Sequence, residues 1–249
     1  MPRRLFLITS PTNPRLKLVR KLASGRQRAK LGLFVCEGED LVAAGLAAGL
    51  QPVDALMDAE RPVELDGLEG LEEVEPSLLA ELSSLAHPPR VVAVFRRADL
   101  PRELDAAAGL ALWHVGDPGN VGTLIRTADA LGPAFVALSP ECADPTSPKA
   151  LRASMGAVFR VPMGSFDDAP KPWVGLVPRG STALAEIELG DSATFVLGAE
   201  RKGLPDDVAS ACDVLASIPL ADEAESLNVA AAGAIALYDL RRRRPSPRG

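Results

Sequence analysis

Five polar residues in the second half of the chain stand where a packed core would not place them: Asn120, Arg126, Glu200, Ser226 and Asn228. Two amides, a guanidinium, a carboxylate and a hydroxyl form a set suited to binding and orienting hydroxyl and phosphate groups. Ser226 and Asn228 flank Leu227 at the mouth of a segment, residues 218–240, that begins as a short apolar stretch, passes through an acidic loop and ends in a small-residue helix. Asn120 and Arg126 lie in G-D-P-G-N-V-G-T-L-I-R-T-A-D, residues 116–129, which a strand enters and a helix leaves. Glycines at 116, 119 and 122 are expected to allow tight turns and close backbone approach. Asn120 is expected to cap the helix, with Arg126 on its first turns. Glu200 lies in F-V-L-G-A-E-R-K-G-L-P, residues 195–205, where a strand runs into a turn. Gly198 at that strand's carboxyl end is expected to admit a flat ligand against the backbone.

Neither glycine-bearing segment identifies a function by itself. G-x-x-G-x-x-G is not the dinucleotide fingerprint G-x-G-x-x-G, and no G-K-[ST] follows, which excludes a P-loop. The first is equally a plain strand-to-helix turn and the second a solvated charged turn.

The elements that must position these residues are legible from periodicity. Residues 12–30 read as one basic helix whose apolar side is Leu16, Val19 and Leu22. Strands are expected at 33–36, 53–57 and 91–95, with helices at 39–48, closed by Gly49, and at 76–84. That is a complete small α/β unit, residues 1–97, with a charged, alanine-rich boundary at 96–109. A second unit, 108–244, has strands at 110–115, 135–138, 173–177 and 194–197 and helices at 121–131 and 148–156. Strands separated by helices imply parallel pairing in an α/β sheet covered on both faces.

The chain carries a net charge of -6, which argues on average against a polyanionic partner. The distribution argues the reverse. No acidic residue precedes Glu37, while Arg3, Arg4, Arg15, Lys17, Arg20, Lys21, Arg26, Arg28 and Lys30 do. A basic block on an acidic protein is the asymmetry of a nucleic-acid contact, here through Arg15, Lys17, Arg20, Lys21, Arg26 and Arg28; the plain alternative is a solvated helix face. Three widely spaced cysteines without C-x-x-C fit reduced cytoplasmic thiols. Two distant histidines make a metal site unlooked for, and no apolar run approaches the ~20 residues of a membrane span.

Taken together, the three segments lose their ambiguity. N-x-G-x-x-x-R, then L-G-A-E-R-K-G-L, then I-P-L with E-S-L-N-V-A-A-A occur in that order. They resemble the three motifs of the SpoU (TrmH) family of RNA ribose 2′-O-methyltransferases. The stretch 147–160 resembles the connector of that family. S-P-T-N-P-R-L-K, residues 10–17, with F-V-C-E-G, residues 34–38, is similar to the small substrate-binding domain many members carry. One departure is Ala199, where Asn is common.

The resemblance implies a deep trefoil knot in a C-terminal α/β domain with a parallel sheet, preceded by a small α/β RNA-binding domain. It implies S-adenosylmethionine held at Leu197, Gly198, Ile218, Leu220 and Leu227, and a homodimer with its sites near the subunit interface. It implies methylation of a ribose 2′-hydroxyl, with Arg126 acting on the target and Asn120, Glu200, Ser226 and Asn228 shaping the site. The added N-terminal domain favours ribosomal RNA, 23S above all; transfer RNA and a non-catalytic RNA-binding protein are the alternatives. A nucleotide-dependent oxidoreductase would need the dinucleotide fingerprint the chain lacks. The run Ala230 to Ala234 suits close packing against other backbone, as a knotted chain would need.

Overall fold

The computed structural model describes residues 7–68, 70–83, 87–179 and 181–243. Arg3 and Arg4 of the basic block, Ser84 at the end of the helix expected at 76–84, and the tail 244–249 lie outside the described residues. Packing of the chain divides it into two units, residues 1–100 with 146–159 and residues 101–145 with 160–249.

The first unit contains helices α1 (Pro14–Leu22), α2 (Gly25–Leu31), α3 (Glu39–Ala47) and α4 (Pro76–Ala80). Its strands are β1 (Leu33–Glu37), β2 (Asp54–Asp58), β3 (Glu72–Val74) and β4 (Val91–Arg96). The sheet order is β1-β4-β2-β3; β4 is antiparallel to both neighbours and β3 is parallel to β2. Leu16, Val19 and Leu22 of α1 are buried against Val35, Leu56, Val92 and Val94, as their spacing predicted. Phe34, Phe95 and Phe159 form a second apolar cluster, with ring centroids 5.8–6.3 Å apart. Phe159 reaches it from the 146–159 segment, whose helix spans Pro148–Ser154.

The single basic helix expected over 12–30 is two helices. Arg28 is the reason the break is stable. It is buried, 4% exposed, and its guanidinium turns back to donate to the carbonyls of Leu22 and Ala23, each at 2.9 Å. A cation on the last carbonyls completes α1, whose end would otherwise be short of donors.

The second unit carries α5 (Pro118–Leu131), α7 (Asp206–Ala211) and α8 (Val229–Arg243), the Pro148–Ser154 helix being α6 in chain order. Its strands are β5 (Ala108–Leu112), β6 (Ala134–Leu138), β7 (Met163–Ser165), β8 (Trp173–Leu176), β9 (Thr182–Ala183), β10 (Ala193–Leu197) and β11 (Val214–Ser217). All are parallel, in the order β7-β6-β5-β10-β8-β11-β9. β5 and β10 are buried along their whole length, as the near-continuous apolar composition of inner parallel strands requires.

The chain leaves β5 toward β6 and β7 on one side, whereas β8 and β11 lie beyond β10 on the other. β5 and β10 therefore meet where the winding reverses, and the crevice outside their carboxyl ends is the favoured ligand site of an open parallel sheet. α8 returns from the far side to pack on α5, β10 and β5. The close approach needs Gly233: a Cβ there would stand 2.4 Å from Leu124 and 3.1 Å from Leu197. At Gly233 the close neighbours are thus side chains and not backbone.

Candidate active site

Three segments converge at the β5/β10 crevice. Asp117, not Asn120, caps α5: its Oδ1 accepts the Asn120 amide at 3.0 Å. Gly119 and Gly122 accordingly sit inside the helix, not in a turn, because the cap lies before Pro118, the favoured first helical residue. With the cap supplied elsewhere, the Asn120 side chain is free. Its Nδ2 donates to Glu200 Oε1 at 3.0 Å, and its Oδ1 accepts from Asn228 Nδ2 at 3.1 Å. Asn228 in turn starts α8. Its Oδ1 accepts the amides of Ala230 (2.8 Å) and Ala231 (3.4 Å). The amide orientations are fixed from both ends, since backbone N–H groups claim Asn228 Oδ1 and a carboxylate claims Asn120 Nδ2.

Glu200 closes the chain. Its carboxylate also accepts the amides of Gly116 (3.4 Å) and Asp117 (3.3 Å). Partial burial alone would raise the carboxyl. The hydrogen bonds from Asn120, from its own amide and from Asp117 and Gly116 outweigh burial and hold it below the usual carboxylate range.

Beside this bridge lies a cavity of about 400 Å³, within the range of small-molecule sites. Leu197, Gly198, Ile218, Leu220 and Leu227 all line it, together with Glu200 and Ser226. Its further walls are Gly203, Leu204 and Glu225 of the same motifs and, outside them, Leu176 to Pro178 at the end of β8. Only the alternation of strand and loop pointed to β8; in the loop after it, Arg179 donates to the carbonyls of Asp222 (3.1 Å) and Ala224 (2.8 Å). Gly198 is required for a different reason from the one expected. A Cβ there would stand 2.1 Å from the Gly203 carbonyl carbon and 2.4 Å from the Leu204 nitrogen, because the loop folds back and Gly203 N donates to Ala199 O at 2.9 Å. Gly203 takes the left-handed conformation that closes this loop, φ 65°.

The SpoU rRNA Methylase family profile matches residues 108–238, and that of the MRM3-like substrate binding domain matches residues 13–93. This chain belongs to the SpoU rRNA methylase family. The 23S rRNA (guanosine(2553)-2′-O)-methyltransferase RlmP of Bacillus subtilis is 31% identical over 94% of this chain and 98% of its own. The 23S rRNA (uridine(2479)-2′-O)-methyltransferase of Streptomyces viridochromogenes is 30% identical over 91% and 88%. The crystal structure of the AdoMet-bound rRNA methyltransferase from Sinorhizobium meliloti superposes with a TM-score of 0.82 at 32% identity, over 97% of this chain and 99% of that one.

The methyl donor of a SpoU methylase is S-adenosylmethionine, and the cavity fits it. Apolar walls from Leu176, Leu197, Ile218, Leu220 and Leu227 suit an adenine ring, and Gly198 and Gly203 expose main-chain groups for polar recognition.

Arg126 is not brought to this bridge. It lies on the exposed side of α5, lines neither cavity of this unit described here, and has no hydrogen bond or ion pair among the described residues. Six helical residues separate it from Asn120, which is roughly 9 Å along the axis and a third of a turn around it.

The basic residues of the first unit also separate. Lys17, Lys21 and Arg26 are exposed. Arg15 is paired with Asp54 (2.9 Å) and Glu72 (3.3 Å), and Arg20 donates to the Pro11 carbonyl at 2.6 Å. Arg28, expected on the RNA face, is the buried α1 brace described above. Among the described residues no group of His, Cys, Asp or Glu could hold a metal ion, and no helix is long and apolar enough to cross a membrane.

Proposed function

We propose that this SpoU methylase transfers a methyl group from S-adenosylmethionine to a ribose 2′-hydroxyl of 23S ribosomal RNA. One observation carries the reading: Asn228, Asn120 and Glu200, one from each motif, form a continuous hydrogen-bonded bridge on the rim of the cofactor cavity. Bound there, S-adenosylmethionine supplies an electrophilic methyl group on a sulfonium. The protein must align the hydroxyl with it, and alignment is worth ~7–11 kcal/mol.

Glu200 is ionised at neutral pH and acts as an acceptor that orients the hydroxyl, since a carboxyl held low is a weak base. Asn120 fixes Glu200, and Asn228 fixes Asn120. Ser226 faces the same cavity and offers a second hydroxyl contact. Arg126 presents a planar guanidinium fork and binds the target phosphate in a bidentate manner. Lys17, Lys21 and Arg26 of the first unit grip the RNA.

Two further family traits are read onto the chain. The return of α8 across β10 and β5 supports the knotted path. The exposed stripe Ala231, Ile235, Tyr238, spaced i, i+4, i+7 on α8, supports a homodimer built on that helix. The reaction places the enzyme in the cytoplasm. RlmP and the Streptomyces enzyme resemble this chain to nearly the same degree yet are named for guanosine and uridine, so the base is left to experiment.

The deciding experiment incubates the protein with tritiated S-adenosylmethionine and either unmodified 23S RNA transcript or transfer RNA, then maps the label. A 2′-O-methyl group in the 23S transcript is expected. Label confined to transfer RNA would move the substrate, label on a base nitrogen would overturn the ribose assignment, and no cofactor binding by calorimetry would leave an RNA-binding protein.

A further inference from the structure

A second cavity opens on the other side of Glu200. It is a shallow cleft of about 610 Å³ lined by His114, Gly116, Asp117, Ala199, Glu200, Arg201 and Lys202. Glu200 and its loop form the wall shared with the cofactor cavity, so the two cavities adjoin. His114 is the residue the functional reading has not used, and three independent features single it out.

First, it adopts a left-handed backbone conformation, φ 54°, which a residue with a side chain rarely takes and which marks functional sites when the surroundings enforce it. The enforcement is visible. Trp113 N donates to the Leu197 carbonyl at 2.8 Å, and His114 N donates to Ser139 Oγ at 3.0 Å. Second, the imidazole is oriented at its edge: Nε2 lies 2.9 Å from Glu141 Oε2. Third, it is oriented at one face. The Trp113 ring lies parallel to it, with centroids 4.6 Å apart and planes at 10°. The side chain nevertheless remains 41% exposed. An aromatic ring fixed by its backbone, its edge and one face, in a cleft beside the reaction centre, is a platform. At the rim, Arg201 and Lys202 are exposed and make no hydrogen bond or ion pair with other described residues.

We propose that His114 is a positioning residue for the acceptor: the base of the target nucleotide stacks on the free face of the His114 imidazole, extending the Trp113–His114 pair, while Arg201 and Lys202 take the flanking phosphates. RNA-modifying proteins reach unpaired bases by such stacking, and every base has a face to offer. The inference rests on the proposed 2′-O-methyl transfer and goes beyond it, because it assigns the acceptor's base to the His114 ring, which lies outside all three motifs. It separates the cleft's work from that of the cofactor cavity.

The test uses the full chain with unmodified 23S RNA transcript and tritiated S-adenosylmethionine. His114→Gly removes the ring and relaxes the backbone, so the fold is not put at risk; His114→Phe keeps a flat ring but loses the Glu141 contact. The expected result for His114→Gly is a rise in RNA KM of roughly 10-fold, the size of one lost base–aromatic stack. Cofactor affinity by calorimetry is unchanged, and His114→Phe recovers most of the RNA KM. An unaltered RNA KM in His114→Gly overturns the proposal while the wild-type activity leaves the function standing. Equal losses in His114→Gly and His114→Phe overturn it too, by showing that the imidazole nitrogens and not the ring face matter. A wild-type protein that methylates no RNA removes the functional reading, and this inference with it.

Discussion

Replacing Asn228 with aspartate separates the two tasks of that side chain. Its Oδ1 caps α8 through Ala230 and Ala231, and its Nδ2 donates to Asn120. Aspartate is as good a cap as asparagine and its charge favours a helix N-terminus, so the thermal midpoint should stay within about 2 °C of wild type. The donor, however, is lost, and two oxygens face each other across the former 3.1 Å contact. A lost hydrogen bond and an acceptor left facing an acceptor cost about 1–2 kcal/mol at a solvent-accessible site, which is about 5–30-fold in kcat/KM. Asn228→Ala provides the contrast: it loses the cap as well, about 1 kcal/mol, and should lower the midpoint by about 2–4 °C. The assays are scanning calorimetry and initial rates of tritium transfer to 23S RNA transcript. Asn228→Asp with wild-type kcat/KM and an unchanged midpoint would refute the idea that the bridge between motifs serves catalysis.

Further outcomes follow from the same geometry. Gly198→Ala forces the 198–203 loop off its own backbone, and calorimetry should show cofactor affinity reduced by at least about 10-fold, as ~1.4 kcal/mol of displacement would give; an unchanged Kd would show that the loop yields. Because the Glu200 carboxyl is held below its ordinary range, its hydrogen bonds add stability that is complete above the unfolded value of ~4.3. That contribution fades as pH falls through the folded value. The urea midpoint of wild type should therefore exceed that of Glu200→Gln at pH 7 and converge with it in strong acid; a gap constant down to pH 3 would contradict this. Arg28→Met should cost about 2 kcal/mol of stability, from charge-assisted bonds to two carbonyls, with RNA affinity unaltered. Lys17→Gln with Lys21→Gln should instead lower RNA affinity and reduce the salt slope by about two, near one per phosphate contact. A filter-binding titration across salt separates the two cases.

Leu197, Gly198, Ile218, Leu220 and Leu227, which only the family resemblance singled out, line one cavity; periodicity located the strand that carries Leu197 but not their convergence. The reasons were less legible. Asn120 reads as a cap since asparagine suits that position, but Asp117 lies before a proline and wins it. Gly198 reads as ligand clearance, while the atoms that exclude a Cβ belong to a loop five residues on. The basic block reads as one helix with one role, because nothing local distinguishes Arg28, whose partners are carbonyls, from Arg26, which faces solvent. β9, α7 and β11 span two, six and four residues, too few for a period to show. Arg126 could be placed on a helix face but not related to the bridge, since that depends on which side of α5 the returning α8 covers.

The strand order has a consequence for how the protein is made. β10 pairs with β5 on one side and β8 on the other, yet it is synthesised long after β5. Between Leu112 and Ala193 lie 80 residues, which at ~5–20 residues per second takes a ribosome roughly 4–16 seconds. Throughout that interval the apolar edge of β5 has no neighbour where β10 will go, and β8 (Trp173–Leu176), a wrong partner for that edge, is made only shortly before β10. Direct annealing of β5 to β8 would close the slot before its occupant exists. Correct assembly therefore requires β8 to pair with β10 and not with β5, and the time spent on residues 113–192 is the interval over which that edge stays open.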